Sequence, residues 1–157
     1  MHSHEKDLGE LVMMVARSMR RRHMAALEPF GLSPSHGRAL RVLAGTDDAL
    51  RPGDLAERLR IAPRSATDVV DALESSGWVA RSVDATDRRA VLPRLTDDGR
   101  DMARTIARAQ KSASEAMFAG LGAEDRATLA ELLTRINDES GAGNIAYDDR
   151  RNLHLRE

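Results

Sequence analysis

The stretch SVDATDRRAVLPRLT, Ser82 to Thr96, sets Arg88 and Arg89 directly after the acidic residues Asp84 and Asp87 and between two alternating apolar flanks. A guanidinium is a rigid, permanently charged fork suited to two-point contact with phosphate or guanine. Upstream, PRSATDVVDALESSG puts Arg64, Ser65 and Thr67 ahead of an apolar stripe, again as hydrogen-bonding groups rather than nucleophiles. Nothing comparable marks a reaction centre. His2, His4, His23, His36 and His154 form no i, i+4 pair with a matching carboxylate set, so no metal site is expected. The chain has no cysteine, which removes disulfides, thiolate nucleophiles, zinc–thiolate sites and cysteine-based oxidant sensing. Ser33 and Ser35 flank Pro34 as helix-start residues, with no glycine elbow or base partner, and no glycine loop cradles phosphate. Neither a catalytic residue nor a cofactor is expected, and the chain does not read as an enzyme.

The elements that must position these groups follow from periodicity. Residues 5–28 read as a long helix with Leu8, Leu11, Val12, Val15, Met19, His23, Ala26 and Leu27 on one stripe. At about 36 Å it is too long to bury against a small domain alone, so a partner chain is expected on it. Pro29 and Gly31 break it. Ser33 then caps a second helix with Pro34 at its first position and Ala39, Leu40 and Leu43 inward. Pro52 starts a short third helix carrying Leu55, Ala56 and Leu59, and Pro63 starts a fourth that runs to about Ser76 and stops at Gly77. From Trp78 the period becomes alternating: Trp78 to Val83, a polar turn, then Ala90 to Leu95, whose Pro93 suits an edge strand. Thr96 caps the next helix, with Asp97 and Asp98 in its first turn. Met102, Ile106, Ala109, Ala113, Met117 and Leu121 continue it until Gly120 and Gly122 interrupt, and a last helix spans Ala123 to about Glu139.

Three short helices followed by a hairpin, across 33–96, is the layout of a winged helix-turn-helix, which sets its second helix in the major groove. The fourth helix of the chain fits that part. Ala66, Val69, Val70 and Leu73 can face inward together, leaving Arg64, Ser65 and Thr67 outward near its N-terminus. Arg64 then suits a guanine, and Ser65 and Thr67 a phosphate or a thymine methyl. Asp68 and Asp71 accept from a cytosine amino group, brace Arg64, or lie outside the groove. Arg88 and Arg89 fall at the hairpin tip, where a narrow minor groove attracts arginine, with Asp84 and Asp87 holding them in place. The bland reading of the same turn is a solvated charged loop.

GWVARSVDATDRRAVLPRLTDDG resembles the wing of the multiple antibiotic resistance regulator (MarR) family: a glycine, an apolar pair, an arginine, Asp-x-Arg-Arg-like residues, an apolar strand and Leu-Thr-x-x-Gly. Those positions are Gly77, Trp78, Val79, Arg81, Asp87, Arg88, Arg89, Leu95, Thr96 and Gly99. The order of elements matches from about residue 5 to 139. The resemblance implies a homodimer on a pseudo-palindromic double-stranded DNA operator, as a repressor or activator, released by a small aromatic or phenolic effector. It assigns Arg64, Ser65, Ala66 and Thr67 to the recognition helix, Asp87, Arg88 and Arg89 to the wing, and Arg81 to the wing base. His36, near the start of the second helix, is the residue to watch for ligand binding, against a structural role. Trp78 departs from the smaller apolar residue usual there, and the tail beyond Gly141 is longer than in many members.

The expected architecture is therefore mostly α with a small β-hairpin wing: a winged module at 33–96, a helical dimerisation region at 5–30 and 97–140, and a mobile tail or dimer arm at 141–157. A core of Leu, Val, Ile, Met and Ala is required, since aromatic residues are only 3% of the chain. A net charge of −1 gives no general attraction to nucleic acid, so local arrangement must supply it. Lys6 and Lys111 are the only lysines; the arginine bias serves phosphate contact or reflects a GC-rich genome. With no apolar run near the ~20 residues a bilayer needs and no signal-peptide layout at MHSHEKD, a cytoplasmic protein is expected, without membrane contact. A winged-helix protein–protein adaptor is the alternative that the near-neutral charge allows.

Overall fold

The computed structural model describes residues 7–46, 50–83 and 91–139. The elements run α1 (Leu8–Ala25), a 3-10 turn (Glu28–Phe30), α2 (Pro34–Ala44), α3 (Pro52–Leu59), α4 (Pro63–Ser75), β1 (Val79–Val83), β2 (Val91–Leu95), α5 (Asp97–Met117) and α6 (Ala123–Glu139). This is the mostly α, winged helix-turn-helix order expected from the sequence. Residues 84–90, where the hairpin tip and the start of the second strand at Ala90 are expected, lie outside the described residues, as does the 141–157 tail.

Three helices begin with proline at the first turn, where its missing N–H costs nothing and its fixed φ is already helical. Their apolar stripes converge. Ala39 and Leu40 of α2, Leu55 and Leu59 of α3, and Ala66 and Leu73 of α4 are each no more than 1% exposed. Val79 and Leu95 of the hairpin, Ala103 and Ile106 of α5, and Leu27 complete the core. β1 and β2 pair antiparallel with Val79 opposite Leu95, Arg81 opposite Pro93 and Val83 opposite Val91.

Two boundaries differ from expectation. The first helix ends at Ala25 rather than near 28, because Leu27 turns in to the core and its N–H reaches back only three residues, to Met24, before Pro29. Helix α5 ends at Met117, short of Leu121, with Phe118 and Leu121 both making three-residue bonds, to Glu115 and Phe118, ahead of Gly122.

Packing divides the chain into a unit ending at Ser114 and a second beginning at Glu115. Within the first, α1 buries no residue, and Leu8, Leu11, Val12 and Val15 are 39–69% exposed. Within the second, α6 leaves Leu132, Leu133 and Ile136 46–52% exposed. No helix among the described residues is long and apolar enough to cross a membrane.

Candidate nucleic-acid interface

Helix α4 separates its side chains sharply. Ala66, Val69, Val70 and Leu73 are buried, while Arg64, Ser65, Thr67 and Asp68 are exposed. Ala66, grouped with its neighbours on the recognition helix, is 1% exposed, so it seats the helix and offers no outward group. Thr67 Oγ1 donates to the Pro63 carbonyl at 3.2 Å. The N-cap position, Ala62, supplies no side-chain cap, so the first-turn N–H groups of α4 face solvent or a ligand and add the positive end of the helix dipole to Arg64.

The turn joining α3 to α4 has an unusual residue. Arg60 takes the left-handed conformation at φ 54°, and it is the only non-glycine with positive φ among the described residues. Its N–H and that of Ile61 close the end of α3 on the carbonyls of Glu57 and Ala56. Across the same face, an Arg58 Nη donates to Thr46 Oγ1 at 3.4 Å and an Arg38 Nη to the Arg58 carbonyl at 3.4 Å, tying α2 to α3.

The wing base is built from the family-like motif. Helix α4 ends with Gly77 at φ 76°, the Gly77 N–H on the Glu74 carbonyl and the Trp78 N–H on the Leu73 carbonyl. Thr96 Oγ1 donates to the Gly77 carbonyl at 2.7 Å and accepts from the Gly99 N–H at 3.0 Å, so one hydroxyl caps α5 and fastens it to the end of α4. Gly99 lies so close to Trp78 that a Cβ there would sit 1.9 Å from the Trp78 carbonyl oxygen. Leu95 is buried beneath. The Leu-Thr-x-x-Gly positions are thus architecture that holds the hairpin to the helices.

Arg81, expected at the wing base, extends from β1 to both Asp71 and Glu74 of α4. Hydrogen bonding to Asp71, reinforced by the charge of both carboxylates, raises its pKa above the ordinary arginine value. Asp71 thus braces Arg81, a partner that its sequence alternatives did not include. The signal for this pairing was present as two acids spaced i, i+3 on α4, followed by an arginine two residues beyond the buried Val79 on the same strand face. Asp84, Asp87, Arg88 and Arg89 lie outside the described residues.

His36 closes a capping box: its N–H donates to Ser33 Oγ and its Nδ1 accepts from the Ser33 N–H, both at 3.3 Å. His23, unassigned from sequence beyond its place on the α1 stripe, holds α1 to α5. Its Nε2 is 2.7 Å from Ser114 Oγ, which in turn donates to the Gln110 carbonyl at 2.9 Å. Burial, with Arg41 nearby, lowers its pKa below 6.5. Among the described residues no group of three His, Asp or Glu side chains is placed to hold a metal ion.

Comparison with known proteins agrees with this geometry. The MarR family profile matches residues 30–90. An uncharacterized HTH-type transcriptional regulator of Mycobacterium bovis is 33% identical over 137 residues, covering 85% of this chain and 92% of its own. A MarR family protein of Mycobacterium tuberculosis superposes with a TM-score of 0.71 at 26% identity, over 86% of this chain and 97% of that one. A variant of MepR from Staphylococcus aureus, solved bound to an oligodeoxyribonucleotide, shares the fold with a TM-score of 0.67 at 22% identity, over 86% and 99%. The motif at the wing base, the division of α4 and the extent of these likenesses lead to one conclusion: the chain belongs to the MarR family of winged helix-turn-helix transcriptional regulators.

Proposed function

We propose that this regulator binds double-stranded DNA sequence-specifically, as a homodimer on a pseudo-palindromic operator, acting as a repressor that a small aromatic or phenolic effector releases. The observation that carries the reading is the division of α4, with Arg64, Ser65 and Thr67 exposed beside uncapped N–H groups and the apolar residues buried behind them. A helix so arranged enters the major groove N-terminus first, Arg64 on a guanine and Ser65 and Thr67 on phosphate or a thymine methyl. Arg88 and Arg89, oriented by Asp87, follow the minor groove or the flanking backbone. The oligodeoxyribonucleotide bound by the MepR variant of the same fold supports this use. The exposed apolar faces of α1 and α6 support a second copy of the chain as partner. Two wings then address half-sites about one helical turn, ~10 base pairs, apart.

The test is fluorescence anisotropy on duplexes tiled from upstream of the protein's own gene, against random duplex, at two salt concentrations. A fragment held at least ~1000-fold more tightly than random DNA is the expected result. Equal, weak binding to every duplex in that tiling and in a genomic fragment selection would overturn the reading and favour a protein–protein adaptor. Arg64→Ala should change base preference, whereas Arg88→Ala with Arg89→Ala should weaken all sequences and lower the salt slope by about two. An unchanged slope in the double variant removes the wing from the interface. A panel of aromatic acids and phenols that shifts neither melting temperature nor operator affinity removes the effector.

A further inference from the structure

We propose that Arg81 is a positioning residue for DNA recognition: by bridging Asp71 and Glu74 it sets the angle between the hairpin and α4, and it does not itself contact DNA. The assignment rests on the DNA-binding reading above. The alternation of β1 puts Val79, Arg81 and Val83 on one face. Val79 and its register partner Leu95 are 2% and 7% exposed and anchor the hairpin in the core. Val83, two steps past Arg81, is 61% exposed. Arg81 therefore stands where apolar cover ends, and there a guanidinium spanning two carboxylates one turn apart on α4 takes over the attachment.

That attachment matters because α4 leads into β1 through only Ser76, Gly77 and Trp78, with Gly77 in the left-handed region. A hairpin joined to a helix by so short a connection can pivot about it, and a second point of hold away from the pivot fixes the angle. Recognition needs that angle, since contacts made by the helix and by the wing must meet one duplex at a fixed separation. The bridge also offsets one of the two negative charges that Asp71 and Glu74 would otherwise bring to the helix that approaches phosphate. With one nitrogen on Glu74 and another on Asp71, the guanidinium is turned toward α4.

The test combines amide hydrogen exchange without DNA and anisotropy with the operator, on Arg81→Gln, Arg81→Lys, Asp71→Asn with Glu74→Gln, and the triple variant Asp71→Asn, Glu74→Gln, Arg81→Gln. Exchange protection across 79–83 and 91–95 should fall in every variant. Operator affinity should fall about tenfold in Arg81→Gln with the salt slope unchanged. Lysine keeps the charge but cannot span both carboxylates, so Arg81→Lys should resemble Arg81→Gln. In the doubly neutralised background, replacing Arg81 should change affinity less than about twofold, because no bridge remains to break. A salt slope lowered by about one, with Arg81→Lys near wild type, would overturn the proposal in favour of a direct phosphate contact. Unchanged protection in both Arg81→Gln and the doubly neutralised variant would overturn it as well; the latter keeps the question decidable if Arg81→Gln fails to fold. Wild-type protein that prefers no duplex would instead overturn the DNA reading and Arg81's part in it, while lost protection would still show its hold on the hairpin.

Discussion

Thr96 links two elements through one hydroxyl, donating to the Gly77 carbonyl and accepting from the Gly99 N–H. Thr96→Val keeps the shape and removes both bonds, so it should cost about 1–2 kcal/mol in denaturant unfolding. Gly99→Ala should be worse, near ~3 kcal/mol, because the new methyl meets a backbone carbonyl that belongs to the wing base and cannot swing aside. At His23 the expected effect depends on pH. Its folded-state pKa lies below 6.5, so the unfolded chain takes up the proton first, and stability falls as pH drops through 6.5 toward the folded value. His23→Gln keeps a donor for Ser114 and does not titrate. Melting temperatures of the variant should therefore fall less steeply than wild type between about pH 7 and pH 5; identical slopes would remove His23 as the cause.

Among the helices, the starts were legible and some of the ends were not. Pro34, Pro52 and Pro63 announce three first turns, and Ser33 and Thr96 cap as their residue types suggest, since these signals act within a few residues. Arg60 at the end of α3 gives no such signal. The equivalent left-handed positions after the 3-10 turn and after α4 carry Gly31 and Gly77. Arg60→Gly should raise stability by about 0.5–1 kcal/mol, the relief of left-handed strain reduced by glycine's greater chain entropy. A lower melting temperature in that variant would mean that the Arg60 side chain supplies more than its backbone costs.

For the whole molecule, the exposed apolar residues bear on assembly. Helix α1 leaves Leu8, Leu11, Val12 and Val15 of its stripe exposed within one chain, and α6 shows three large apolar residues to solvent. Burying a leucine or valine completely contributes about 1.5–3 kcal/mol, so these faces suit a second copy. Val12→Glu and Leu133→Glu should each shift sedimentation from dimer toward monomer at micromolar concentration and reduce operator affinity. A wild-type monomer at that concentration would overturn the dimer.

The sequence by itself determined the element order, the helix starts, the inward faces of α2, α3 and α4, and the outward placement of Arg64, Ser65 and Thr67. Those follow from periodicity, capping and backbone dihedrals, which are decided by near neighbours. Only the tertiary structure decided that Arg81 meets Asp71 and Glu74, that His23 meets Ser114, and that Gly99 must be glycine because Trp78 lies against it. Such contacts depend on the angles at which helices and hairpin pack, and many interlocking core side chains set those angles together.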